Sequence, residues 1–323
     1  MTEQQVQDFI AAFPKARRDE PMAGHTLLKI GGPAQIYLVA ENSDDLIKAV
    51  ETAKRLQIPH YVFGAGSNLL VSDRGFDGVV IQSADHSFAI QGQTLTAAAG
   101  ALTSLVAQSA AKAGLTGFEW AAGIPGTMGG AVCGNSGCFG GEMKDVVTSV
   151  EVYDVEKNER ATLKNEDCRF AYRDSRFKHE PLIILGVVLK LNAGSAETSL
   201  QKIEETLKKR RETQPHGQFS AGCMFKNFAY QDESALKKLK GQFEIPEAML
   251  KNKKISAGWL IDQLGLKGTK IGQAQVSPAH GNFLINLGGA RAQDVIALSS
   301  LVKMKVRDEL GILLEDEVQL LGF

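Results

Sequence analysis

The chain has 323 residues, 44% of them apolar and 23% charged, with a formal net charge of −1. That length supports two or three lobes around sizeable cores. The even charge leaves no basic footprint for nucleic acid or a membrane surface, and the longest clean apolar run, residues 182–189, is far too short to span a bilayer. In chain order, residues 1–30 read as a short helix and a polar lead-in. Residues 36–39 read as a strand. Ser43 is the expected cap of the next helix, with Asp44 and Asp45 in its first turn and Leu46, Ile47, Val50 and Ala53 on one face. Pro59 follows its end.

Residues 61–63 form a strand running into a first glycine cluster, Gly64-Ala65-Gly66-Ser67-Asn68. Residues 79–81 and 94–99 are further strands. Residues 103–113 form a helix stopped by Gly114. A second glycine cluster, Gly123-Ile124-Pro125-Gly126-Thr127-Met128-Gly129-Gly130, continues through Gly134, Gly137, Gly140 and Gly141. Val150, Val152 and Val155 mark a strand, and residues 182–191 another, apolar enough to be buried on both faces.

Composition shifts at Asn192-Ala193-Gly194. A charged helix follows over 195–211, with Leu200, Ile203 and Leu207 on one side, and Thr213-Gln214-Pro215 breaks it. Beyond it come a helix at 256–264 ended by Gly265, a strand at 283–287 and a helix at 293–310. That last helix has Val295, Leu298, Val302 and Val306 on its buried stripe and Gly311 at its end. An apolar strand over 312–323 closes the chain. These elements predict α+β or mixed α/β structure in two lobes. One spans 1–195, with a subdivision near 80, and the other 196–323.

The glycine clusters carry the chemistry. Glycine-rich loops lose conformational entropy on folding and belong where backbone N–H groups must approach a ligand. The first cluster is not a Rossmann fingerprint, because Leu69 takes the third glycine position, and no Gly-Lys-Ser/Thr follows to make a P-loop. The second holds eight glycines in nineteen residues, a density that structure alone rarely needs. Such main-chain donors hold a pyrophosphate as helix N-termini do.

Three smaller clusters read as ordinary surface or packing segments on their own. They are Tyr172-Arg173-Asp174-Ser175, Ser220-Ala221-Gly222-Cys223-Met224-Phe225-Lys226-Asn227 and Leu314-Glu315-Asp316-Glu317-Val318. The four cysteines, Cys133, Cys138, Cys168 and Cys223, form no C-x-x-C pair and have no histidine at ligand spacing, so no metal site is expected. The N-terminal residues show neither a basic n-region nor an apolar h-region, and a cytoplasmic protein with reduced thiols is expected.

Taken in order, and with Ala257-Gly258-Trp259-Leu260-Ile261, the five clusters resemble the UDP-N-acetylenolpyruvoylglucosamine reductase (MurB) family over nearly the whole chain. The segment from Gly265 to Ser277 resembles the shorter subtype, which lacks a tyrosine-bearing substrate loop. The resemblance implies an α+β, FAD-binding fold of the p-cresol methylhydroxylase/vanillyl-alcohol oxidase type with a smaller C-terminal α/β substrate lobe. It implies FAD held by Gly64 to Asn68 and by Gly123, Ile124, Pro125, Gly126, Thr127, Gly129 and Gly130, with NADPH as reductant.

The same resemblance implies that Arg173 binds the substrate carboxylate, that Cys223 stands where the family has its serine proton donor, and that Glu317 is a second catalytic residue. Lys226, Asn227, His280 and Asn282 would contact the UDP-sugar. The implied activity is reduction of the enolpyruvyl nucleotide to UDP-N-acetylmuramate for peptidoglycan, with no nucleic acid, membrane or obligate protein partner. The Cys223 and Cys138 departures also suit a degenerate homologue that binds flavin or UDP-sugar without turnover. Another oxidoreductase of the same flavin fold is a second alternative.

Overall fold

Asn42 Oδ1 accepts the N–H of Asp45 at 2.8 Å and caps the helix Ser43–Arg55. The expected cap, Ser43, is the first helical residue; the longer Asn side chain reaches the orphan donor from one position earlier. The computed structural model describes all 323 residues. The chain divides into two compact units. The first consists of Met1–Glu20, Ala34–Ala65 and Phe76–Glu212, and the second of Pro21–Pro33, Gly66–Gly75 and Thr213–Phe323.

The first unit holds two larger sheets. One orders its strands Arg17–Pro21, Pro33–Ala40, Phe76–Ser83 and His60–Phe63, with the last two pairings parallel. Ile36, Leu38, Val79 and Ile81 pack there against Leu46, Val50 and Ala53 of the capped helix and Val6 and Phe9 of the helix Glu3–Ala12. Residue 80 lies inside the strand Phe76–Ser83, in the middle of this sheet.

The other sheet is antiparallel, ordered Glu159–Lys164, Val147–Asp154, Leu182–Lys190, Thr94–Ala98 and Phe88–Gln91. Only Leu185, Val187 and Leu189 of its central strand are buried. The two-face burial expected from its composition is partial: Leu185 and Ile183 pack in one core, and Val187, Leu189, Leu182 and Ile184 in another, with the alternate residues left half-buried. The helix Ala196–Thr213 packs on this unit through Ile203, and Ser199 Oγ donates to the Leu115 carbonyl at 3.1 Å and to Glu119 at 2.9 Å. These contacts move the unit boundary to Thr213, beyond the composition shift at 192–194.

The second unit has an antiparallel sheet ordered Phe219–Cys223, Phe283–Asn286, Ala274–Val276 and Lys270–Ile271. Val295, Leu298, Val302 and Val306 of the helix Ala292–Leu310 fill its core, and Gly311 ends that helix at φ +71°. Ser256 caps the helix Ala257–Gln263. The expected strand over 312–323 shrinks to Gln319–Leu321, parallel to Leu69–Val71. Before Gln319 this stretch pairs only at the Phe225–Asp316 bridge, and Leu313 is 71% exposed.

Candidate active site

In the first unit the two glycine clusters touch. A Cβ on Gly64 would lie 2.2 Å from Thr127 Oγ1, so only glycine fits. The Gly64 carbonyl accepts from Gln82 Nε2 at 3.2 Å. Thr127 Oγ1 faces the Gly130 N–H at 3.4 Å. Gly129 lies against Ala99, and its N–H donates to that carbonyl at 2.8 Å. Ile124 N–H turns back to the Ala121 carbonyl at 3.0 Å. Arg210 crosses Gly123 so closely that a Cβ there would meet its Cδ at 2.3 Å. The N–H groups of Ala65, Gly126 and Thr127 donate to no protein acceptor. Pro125 has no N–H to give. A cradle closed to side chains and supplied with unspent main-chain donors fits the phosphates of FAD.

Gly66, Ser67 and Asn68 fall in the second unit. Gly66 has φ +61°, and a Cβ there would meet the His25 carbonyl at 2.1 Å. Asn68, expected at the cofactor, also makes contacts within the protein. Its Nδ2 donates to the Glu317 carbonyl at 3.0 Å and its own carbonyl accepts from Gln319 at 3.0 Å, which ties the loop to the C-terminal segment.

Arg173 stands in the first unit with φ +53°, a left-handed conformation that strains any residue but glycine. Its Nη2 donates to the Gly137 carbonyl at 2.7 Å, and its guanidinium lies 5.3 Å from the Tyr172 ring centroid. Ser175 Oγ donates to the Cys133 carbonyl at 2.7 Å and Asn135 Nδ2 to the Ala171 carbonyl at 2.8 Å. The arginine loop is therefore docked on the tail of the second glycine cluster. Burial pushes the Cys133 and Cys138 thiols up, with Arg210 and Arg173 partly opposing this at Cys138. Both cysteines stay protonated and unreactive.

In the second unit Cys223 ends the strand Phe219–Cys223 after Gly222, which has φ +81°. The pairing with Phe283–Asn286 slips between Ser220 and Cys223. Met224 N–H donates to the Asn282 carbonyl at 2.7 Å, and Glu317 N–H to the Met224 carbonyl at 2.8 Å. Lys226 N–H reaches the Glu315 carbonyl at 2.9 Å. The chain segments carrying Cys223 and Glu317 thus lie side by side, bridged at Phe225 and Asp316. Lys226 Nζ pairs with Glu315 at 3.2 Å, and Asn227 Oδ1 accepts the Ala257 N–H at 3.1 Å.

Two expected substrate residues turn inward. Asn282 is 2% exposed, its Oδ1 accepting the Phe225 N–H at 2.9 Å and its Nδ2 donating to the Phe225 carbonyl at 2.8 Å. Both ends of the amide are engaged, so Asn282 holds the segment that follows Cys223. His280 packs on Gly258, where a Cβ would meet its ring at 2.8 Å, and its Nδ1 accepts the Asn282 N–H at 3.1 Å. Burial, then Lys267, lowers its pKa.

Gln82, Lys303 and Asp316 escape sequence reading. Lys303 forms an ion pair with Asp316, beside Glu317. Asp316 lies inside the Leu314–Val318 cluster, but no motif marks Gln82 or Lys303, and the sequence does not show which partners any of the three takes.

A model of the UDP-N-acetylenolpyruvoylglucosamine reductase C-terminal domain matches residues 214–321, and a model of an FAD binding domain matches residues 34–160. The chain is 38% identical to the UDP-N-acetylenolpyruvoylglucosamine reductase of Caldanaerobacter subterraneus subsp. tengcongensis, over 94% of this chain and 93% of that protein. It is 40% identical to that of Caldicellulosiruptor bescii, over 94% and 90%. The crystal structure of UDP-N-acetylenolpyruvylglucosamine reductase (MurB) from Thermus caldophilus superposes with a TM-score of 0.74 at 35% identity, covering 95% of this chain and 98% of that one.

Proposed function

The chain belongs to the UDP-N-acetylenolpyruvoylglucosamine reductase (MurB) family, and from that membership we propose that it reduces UDP-N-acetylenolpyruvoylglucosamine to UDP-N-acetylmuramate with FAD and NADPH. Its fold is the α+β FAD-binding type expected from the sequence. The observation that carries the mechanism is the ladder that joins Met224 to Glu317 and so sets a thiol and a carboxyl group on adjoining segments.

Bound FAD, reduced by NADPH, supplies a hydride to the terminal carbon of the enolpyruvyl ether. The protein's task is to manage the charge and the proton. Arg173 offers a planar, permanently charged guanidinium to the substrate carboxylate in two-point geometry, where negative charge develops. Glu317, the second catalytic residue of the family pattern, assists the same developing charge. Cys223 gives its proton to the carbon bearing the ether oxygen. A thiol titrates near about 8.5, so it is an easier donor than the serine hydroxyl of the family pattern. Lys226 and Asn227 stand next to this acid and contact the sugar nucleotide. Gly64, Ala65, Gly66, Ser67 and the Gly123 to Gly130 cluster hold FAD through main-chain groups.

The product enters peptidoglycan precursor synthesis, and so cell shape and division, in the cytoplasm where nucleotide sugars reside. No helix is long and apolar enough to cross a membrane. The test is mass spectrometry of a reaction with NADPH and the enolpyruvyl nucleotide. The substrate should gain two hydrogens; unchanged substrate beside a flavin-bearing protein would favour the degenerate homologue.

A further inference from the structure

The amide of Gln82 links a buried phenol to the first glycine loop. The Tyr37 hydroxyl donates to Gln82 Oε1, which leaves the NH2 end of the amide facing the Gly64 carbonyl, 3.2 Å away. Tyr37 is 1% exposed, and the Arg17 guanidinium lies 4.6 Å above its ring. Burial pushes its hydroxyl up to about 12. Tyr37 therefore remains a donor through neutral pH, and the amide has one orientation.

The carbonyl of Gly64 and the N–H of Ala65 share one trans peptide plane and point in opposite directions. A donor fixed on the carbonyl aims the N–H away from the sheet. That N–H has no protein acceptor. The strand pairing of Phe63 with Gln82 sets the amide opposite the peptide it holds. On the other side, Thr127 sits where a Gly64 side chain would be, so the plane is held at its carbonyl and at its Cα.

We propose that Gln82 is a positioning residue for the cofactor, fixing the Gly64–Ala65 peptide so that the Ala65 N–H donates to the phosphates of bound FAD, with Tyr37 setting the Gln82 amide. This rests on the FAD-binding reading of the two loops.

The test compares wild-type holoenzyme with Gln82→Met, Gln82→Glu, Tyr37→Phe and the Gln82→Met/Tyr37→Phe pair. The FAD dissociation constant is read from flavin fluorescence released on dilution, and the urea midpoint from flavin-stripped protein. Gln82→Met should weaken FAD about tenfold, the effect of roughly one hydrogen bond, while the stripped-protein midpoint falls only by what the stranded Tyr37 hydroxyl costs, a loss that adding Tyr37→Phe removes. Gln82→Glu should weaken it further, because a carboxylate then faces a carbonyl. Tyr37→Phe should weaken it about threefold alone and not at all in the Gln82→Met background. Gln82→Glu, which keeps the shape and the Tyr37 bond, carries the test should Gln82→Met not fold. FAD affinity within about twofold of wild type in the folded Gln82 variant, or full additivity with Tyr37→Phe, overturns the inference alone. Wild-type protein that takes up no FAD overturns the functional reading as well.

Discussion

The backbone N–H of Glu317 donates to the carbonyl of Met224 at 2.8 Å. This bond makes a late, irregular stretch of chain run alongside the segment that begins at Cys223. The adjacent bridge between Phe225 and Asp316 fixes the register, and the Asn68 amide holds the Glu317 carbonyl at 3.0 Å from the far side. The chain positions of Cys223 and Glu317 are thereby set by main-chain pairing.

Replacing Cys223 separates the two halves of the reaction. Cys223→Ala should leave flavin reduction by NADPH near the wild-type rate. It should slow flavin reoxidation by the enolpyruvyl nucleotide by about 10²–10⁴-fold, the usual contribution of a general acid. Cys223→Ser should recover most of that loss. Stopped-flow absorbance checks both, and an alanine variant that reoxidises normally removes Cys223 from the mechanism.

Gly64→Ala drives a methyl group into Thr127, 2.2 Å from its Oγ1. FAD should be lost during purification, visible as a colourless protein. Adding Thr127→Ala should restore part of the flavin, at the cost of about 1 kcal/mol from the lost helix cap. Full flavin in Gly64→Ala alone would mean that the loops have room to spare.

Asn282→Ala removes both side-chain bonds to the Phe225 backbone and leaves a buried N–H and a buried carbonyl without partners. It should cost about 2–4 kcal/mol in urea unfolding. An effect below about 1 kcal/mol would show that the segment is held by other contacts.

His280 gives a pH dependence with a definite sign. Its pKa is lowered in the folded protein, chiefly by burial, and its Nδ1 accepts the Asn282 N–H. The unfolded chain therefore binds the proton more readily. The contribution to stability is fully present above the ordinary histidine value of about 6.5 and is lost as pH falls from there through the folded value. Urea midpoints of wild type should drop more between pH 7 and pH 5 than those of His280→Gln. Equal drops would mean that the ring is free to protonate in place.

Most elements were legible because their signals are local. The stripe Val295, Leu298, Val302 and Val306 is buried as its spacing requires, and Gly114, Gly265 and Gly311 take the positive φ expected after a helix. The glycine clusters were legible as sites because their density has no cheaper use. What escaped depends on partners far along the chain. Ser43 and Asn42 are both good caps, and only the side-chain reach to Asp45 decides between them. Residues 196–212 look like the start of a second lobe, but Ser199 and Ile203 find their partners at Leu115, Glu119 and the first unit's core. Asn282 falls in a region expected to line the sugar-nucleotide site, and nothing in the sequence shows that its amide bonds the Phe225 backbone.

The central claim is that this chain passes electrons from NADPH to an enolpyruvyl nucleotide through bound FAD. It is tested most directly by the visible absorbance of the purified protein under anaerobic conditions. The protein should be yellow, bleach with NADPH and regain its colour when the enolpyruvyl substrate is added. A colourless protein that takes up no FAD, or a bleached one that stays bleached with substrate, would contradict it.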